Sequence, residues 1–256
     1  MSTDNSAKEN NGTVSRRQFI TGAAAVAGLT VAPGVFLLKP AGATNGATTA
    51  KGADPATRWG LLIDTSKCAD GCTACVRACH EENGVRSLGR PQTDAQWIRK
   101  LNLTERETGH RHSLPVMCQH CEKPPCVDVC PTKASFIRPD GVVLVDKHTC
   151  IGCRYCMMAC PYKARSFIHE PLTDQKPHAP RGKGTVESCT LCVHRIDRGE
   201  RTTACVEACN KDGHQAMTFG DLNDPDSEIS RRLRQEGSTA IRADLRLNPA
   251  VRYQGI

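Results

Sequence analysis

The sequence predicts an α+β fold built from duplicated units, each a short strand, a ligand loop and a turn. Three observations predict it. All 16 cysteines fall into four groups of four with none left over. The stretch GLLIDTSKC at 60–68 is repeated in kind by GVVLVDKHTC at 141–150, each a short apolar run, an Asp and then a cysteine group. Behind two of the groups, CPTKASF at 130–136 is echoed by CPYKARSF at 160–167. The chain of 256 residues is 39% hydrophobic and 4% aromatic, modest apolar material for its length, so something besides side chains is expected to fill the interior.

Taken in order, residues 1–43 are expected to be a twin-arginine signal peptide. SRRQFI at 15–20 precedes an uncharged stretch, 21–38, rich in Ala, Gly and Val, and Ala41-Gly42-Ala43 forms a small-residue cleavage site. The stretch is long enough to cross a bilayer, but Gly22, Gly28, Pro33 and Gly34 make it weakly hydrophobic for a permanent anchor. Such a leader exports folded proteins, which suits a cofactor inserted before export and predicts a periplasmic location. Residues 44–57, mostly Ala, Gly, Thr and Asn, read as a flexible linker. The formal charge of +7 falls to +5 without the leader, 30 basic residues against 25 acidic. Those charges are scattered, and no basic stripe or binding motif points to nucleic acid. Strands are expected at 61–64 and 142–145, brief helices after the ligand loops, a helix at 226–234 behind a Pro-Asp-Ser start, and an extended tail at 248–253 that packs on the body.

The four groups are Cys68, Cys72, Cys75, Cys79; Cys118, Cys121, Cys126, Cys130; Cys150, Cys153, Cys156, Cys160; and Cys189, Cys192, Cys205, Cys209. Disulfides require Cα atoms about 4.4–6.8 Å apart with correctly aimed Cβ atoms, and four thiols within eleven residues would close only cramped loops. Zinc accounts for paired C-x2-C units but gives no reason for a third cysteine two residues on, or for a fourth followed by Pro. A [4Fe-4S] cubane does: three closely spaced thiolates hold one cluster and the fourth, before Pro, reaches its neighbour. The third group is C-x2-C-x2-C-x3-C-P without deviation. In the second, Glu122-Lys123-Pro124-Pro125 widens one gap, and in the fourth residues 193–204 form an excursion open to a partner. In the first, Ala69-Asp70-Gly71 replaces the usual two-residue gap.

The four groups, with VHRID at 193–197 and GDLNDPDSEIS at 220–230, resemble the four-cluster ferredoxin subunits that serve polysulfide, dimethyl sulfoxide, nitrite and formate enzymes. CADGCTAC at 68–75 and the leader resemble, more narrowly, the DsrO-type iron-sulfur subunits of DsrMKJOP membrane complexes. The resemblance implies two nested bacterial ferredoxin-like halves within residues 58–221, the inner about 92–182, the outer about 58–91 plus 183–221, with 222–256 as a C-terminal extension. It implies crossed wiring: Cys68, Cys72, Cys75 with Cys209; Cys118, Cys121, Cys126 with Cys160; Cys150, Cys153, Cys156 with Cys130; and Cys189, Cys192, Cys205 with Cys79. It implies four [4Fe-4S] clusters in one electron-carrying chain and attachment to the inner membrane through an NrfD-type quinone-interacting subunit. A periplasmic multihaem cytochrome c and other subunits of the complex complete the implied partners. Two other classes stay open, an electron subunit of a molybdopterin or nitrite reductase and a metal-binding scaffold.

No C-x-x-C-H haem site, phosphate loop, dinucleotide fingerprint or Ser/His/Asp arrangement occurs, so the chain is expected to be an electron carrier and not an enzyme. His80 and His120 stand beside ligands but find no vacancy in a full set of cysteines. Lys133, Arg154 and Lys163 are candidates for stabilising reduced clusters. Gly152, Ala74 and Ala78 are candidates for close backbone approach.

Overall fold

The computed structural model describes residues 53–256 and two short N-terminal strands, 30–32 and 35–36. The expected signal peptide, apart from those strand residues, and most of the linker lie outside the described residues. In chain order the elements are β1 (Thr30–Ala32), β2 (Val35–Phe36), β3 (Trp59–Asp64), α1 (Ala74–Asn83), β4 (Ile98–Thr104), β5 (Arg111–Met117), α2 (Pro125–Asp128), β6 (Ser135–Ile137), β7 (Val143–Val145), α3 (Tyr155–Ala159), β8 (Ser166–Phe167), β9 (Val186–Glu187), α4 (Val193–Asp197), α5 (Ala204–Lys211), β10 (Met217–Asp221), α6 (Glu228–Glu236) and β11 (Val251–Gln254). The chain divides after Ala47 into two units; β1 and β2 pair antiparallel in the first, and β3 and all later elements belong to the second.

The core sheet has the order β10-β3-β11. Leu61, Leu62 and Ile63 are all buried, so β3 is covered on both faces, as its unbroken apolar run dictates. β10 runs antiparallel to it with Met217 opposite Ile63, and β11 runs parallel with Val251 opposite Leu61. The tail therefore completes the sheet. Tyr253 is fully buried; its hydroxyl donates to the Pro115 carbonyl at 3.0 Å and accepts from Gln119 Nε2 at 3.2 Å. Strand β3 begins two residues before the expected 61. The C-terminal helix runs two residues further along than expected, because Ser227 is its N-cap and accepts from the Ser230 N–H.

Two small antiparallel pairs, β6 with β7 and β8 with β9, follow the two echoed stretches. Lys133 and Lys163 close them with the same turn, left-handed and bonded back to the carbonyls of Cys130 and Cys160, each at 3.2 Å. The antiparallel pair β4 and β5, seven residues each, is not among the strands expected from the sequence. Pro125 opens α2 at the first helical position, where its missing N–H costs nothing. The inserted Glu122 and Lys123 donate backbone N–H bonds to Leu247 O at 3.1 and 3.3 Å, so the C-terminal segment pins them. The excursion at 193–204 starts as α4 and is tied down: Arg195 meets Glu82 at 2.8 Å and Glu207 at 2.9 Å. Among the described residues no helix is long and apolar enough to cross a membrane.

Candidate metal centres

Each cysteine loop turns at the same point. The residue immediately before the second cysteine is left-handed in all four: Gly71 at φ 74°, His120 at 42°, Gly152 at 70° and Leu191 at 51°. Successive N–H groups around such a residue converge into a concavity that favours anions. The first group thus absorbs its extra residue and turns like the others, held by the Lys100 ammonium, which donates to the Ala69 and Cys72 carbonyls at 2.5 Å. At Gly152 a Cβ would stand 2.2 Å from the Gly184 carbonyl oxygen, so close backbone approach as well as φ demands glycine there. At His120 the strain is held by burial and by the Val143 N–H, which donates to Nδ1 at 3.0 Å.

The C-x3-C spacing sets the rest. Four residues is about one helical turn, so Cys75 and Cys79 share one face of α1, and Cys205 and Cys209 one face of α5. The two helices pack together, as do α2 and α3, which carry Cys126 and Cys156. The thiols consequently meet across groups. Cys75 lies among Cys68, Cys209 and Cys72. Cys79 lies among Cys189, Cys205 and Cys192, and a small cavity is lined by those four cysteines. Cys121 lies with Cys118, Cys126 and Cys160. Cys156 faces Cys150 and Cys130, and a second small cavity is lined by Cys130, Cys150, Cys153 and Cys156.

All sixteen cysteines are free thiols. Burial first, then neighbouring thiols, pushes Cys75 and Cys121 up to about 12; burial also takes Cys118 and Cys192 to about 12, and Cys79 and Cys189 well above the ordinary range. Thiols held this way ionise at neutral pH only around a cation. The donors already present suit sulfur that carries charge: Ser135 N–H to Cys130 Sγ at 3.4 Å, Leu191 N–H to Cys189 Sγ at 3.5 Å, and Ala216 N–H to Cys209 Sγ at 3.3 Å.

Arg165 tests the fit independently. It is 5% exposed, its Nη2 donates to Cys126 Sγ at 3.0 Å and to Ser135 Oγ at 2.8 Å, and its Nε and Nη1 have no partner among the described residues. A buried unpaired cation costs several kcal/mol, and an anionic cluster between the thiols supplies the missing charge. The all-thiolate donor sets and the buried guanidinium beside them fit an iron-sulfur cubane.

The candidate tuning residues lie elsewhere than expected. Lys133, Lys163 and Arg154 are exposed and occupy left-handed turns, and Arg154 stacks on the Phe167 ring at 3.8 Å. The buried cations are Arg165 and Arg181, and the half-buried Lys147 donates from Nζ to Val186 O at 2.5 Å. His120 is neutral, held near 3 by burial and by Arg165. His178 and His194 stack at 3.9 Å beside Glu82, but Arg195 donates to both Glu82 oxygens at 2.9 and 2.8 Å, so this cluster is an ion-pair knot and not a ligand set.

Residues 110–222 match the 4Fe-4S dicluster domain family. The chain is 44% identical over 222 residues to the Hdr-like menaquinol oxidoreductase iron-sulfur subunit 1 of Archaeoglobus fulgidus, covering 77% of this chain and 82% of that one. It belongs to this family of iron-sulfur subunits. Protein NrfC of Escherichia coli is 36% identical over 248 residues, covering 93% of this chain and 94% of its own. One of the polysulfide reductase chains of Wolinella succinogenes is 39% identical over 199 residues, 77% of this chain and 93% of its own. The family carries electrons for reductase complexes, and this chain is an electron-transfer subunit with [4Fe-4S] centres.

Proposed function

We propose that the chain is a four-cluster electron relay with no catalytic site of its own. Its ligand sets are Cys68, Cys72, Cys75, Cys209 at site 1; Cys118, Cys121, Cys126, Cys160 at site 2; Cys130, Cys150, Cys153, Cys156 at site 3; and Cys79, Cys189, Cys192, Cys205 at site 4. The observation that carries this reading is the pair of cavities, each lined by three cysteines of one group and one of another. The same exchange between groups, and the shared left-handed turn, support two nested ferredoxin-like halves. Bound clusters supply one-electron redox chemistry at potentials set by charge, hydrogen bonds and burial.

Neighbouring thiols suggest the order of the sites. Cys75 lies by Cys79 and Cys205, Cys189 by Cys118, and Cys126 by Cys156, which links sites 1, 4, 2 and 3 in a line. All ligands of sites 4 and 2 are buried. Cys68 and Cys72 at one end are half-buried, and Cys153 at the other is exposed beside the exposed Ile151, Tyr155 and Met158. Electrons enter and leave through these ends.

The partners we propose are a quinone-interacting membrane subunit of the NrfD type and a periplasmic multihaem cytochrome c, within a DsrO-type complex of dissimilatory sulfur metabolism. In its favour are the twin-arginine stretch at 15–20, CADGCTAC at 68–75, and a relative named as a subunit of a menaquinol oxidoreductase. The second reading, an electron subunit of a molybdopterin or nitrite reductase, is favoured by the NrfC match over 93% of this chain. Affinity purification of the tagged chain from detergent-solubilised membranes separates them. An integral membrane subunit with a haem c protein that does not reduce nitrite supports the first reading; a molybdopterin subunit, or a haem protein that reduces nitrite, overturns it.

A further inference from the structure

We propose that Arg165 is a cation shared by two cluster sites, setting the potentials of sites 2 and 3 together. The inference rests on the cluster reading above. Arg165 is the residue by which the second echo exceeds the first: CPTKASF passes directly from Ala134 to Ser135, whereas CPYKARSF places Arg165 between Ala164 and Ser166. Ser135 and Ser166 both begin strands, β6 and β8. The extra residue therefore sits at the junction of turn and strand, and its side chain turns inward to 5% exposure.

What it meets there belongs to both sites. Nη2 donates to Cys126 Sγ, a site 2 ligand, at 3.0 Å. The same guanidinium stands near enough for its charge to act on the Cys156 thiol of site 3 and on Cys118 of site 2. Ser135 Oγ accepts from Nη2 at 2.8 Å, and Ser135 N–H donates to Cys130 Sγ of site 3 at 3.4 Å, so the group that orients Arg165 is itself attached to the second site. Of the two buried arginines among the described residues, Arg181 is matched by Glu187 at 2.6 Å, while Arg165 has no carboxylate partner. Its positive charge is thus undiminished where it faces sulfur.

The sign follows from Coulomb's law. Each site becomes one charge more negative when it holds an electron, and a nearby cation stabilises that form and raises the potential. A cation between two sites stabilises the electron on either one, so it draws electrons into the pair without trapping them at one member. Lysine cannot copy this. A guanidinium presents a rigid fork of donors to several acceptors, whereas an ammonium is a compact point charge on a flexible stem.

The experiment is an EPR-monitored redox titration of the anaerobically purified protein and of Arg165→Gln and Arg165→Lys, with iron and sulfide counted on the same samples. Arg165→Gln is expected to lower the midpoints of two of the four clusters and leave the other two in place. Arg165→Lys is expected to hold one of those two near its wild-type value and lower the other. Unchanged midpoints in whichever variant keeps its iron, or an equal shift of all four, overturn the proposal. Loss of iron from both variants also overturns it and makes Arg165 a structural residue. Wild-type protein without iron sinks the cluster reading itself; full iron with unmoved midpoints sinks only the role of Arg165.

Discussion

The site around Cys79 and the site around Cys153 share a four-thiol lining, yet every cysteine of the first is buried, whereas at the second Cys153 is exposed and Cys130 and Cys150 are half-buried. The buried side chains of Leu61, Trp97, Met117 and Leu191 border the first. Ile151, Gly152 and Arg154, on an exposed loop, border the second. Both use a left-handed residue before the second cysteine, so the loop design is common and the surroundings decide access. A buried site suits the middle of a relay, shielded from water. An exposed one suits its end.

Serine replacements should break this comparison most sharply. Cys79→Ser removes a ligand that water cannot replace, and the account expects loss of about four irons, the whole cluster, with a fall in thermal stability. Cys153→Ser opens a solvent-facing corner and should cost about one iron with little change in Tm. Iron analysis with thermal scans checks both, and equal losses would erase the difference between the sites.

Glu187 lies between them in sequence, next to Val186, which borders the exposed site, and two residues before Cys189, which borders the buried one. It is fully buried and accepts from Arg181 at 2.8 and 2.6 Å, and Arg181 also donates to the Gly84 carbonyl that follows α1. Glu187→Gln leaves a buried guanidinium without its counter-charge, which should cost about 3–5 kcal/mol, read as a lowered Tm with iron lost from both sites. Gly152→Ala should act on the exposed site alone. A left-handed non-glycine costs about 1–3 kcal/mol, and the overlap with the Gly184 carbonyl adds to it. The expected signature is EPR loss confined to one cluster.

The smallest effect belongs to the side of the buried site. The hydrogen bonds from Arg195, aided by those from His194, hold Glu82 down at about 2, against burial that raises it. Because that carboxyl is depressed below the ordinary value of about 4.3, its contribution is complete above that pH and fades as pH falls towards 2. Glu82→Gln should cost about 1–2 kcal/mol at pH 7 once exposure is allowed for. The Tm gap from wild type should stay level down to about pH 5 and narrow below about 4.

The cysteine spacing made the loops and helices legible, because C-x3-C is a helical repeat and a run such as LLI reads as a covered strand. The tail was legible as extended, and its place in the sheet follows from Tyr253 and Val251, both apolar enough to bury fully. The β4–β5 pair was not, since Pro115 interrupts one strand and neither strand alternates cleanly between apolar and polar residues. The left-handed positions were visible only where glycine marks them; His120 and Leu191 adopt the same geometry without that sign. Charge near the ligands was sought at Lys133, Lys163 and Arg154, which stand next to cysteines in sequence but turn outward. Arg165 was marked all along, as the one residue by which CPYKARSF is longer than its echo.

The most direct test of the four-site account is iron, acid-labile sulfide and EPR on the anaerobically purified, dithionite-reduced protein. The expected result is about 16 irons and about 16 sulfides per chain with magnetically coupled signals of reduced [4Fe-4S] clusters. Zinc in place of iron, or about eight irons with two uncoupled signals, would contradict it.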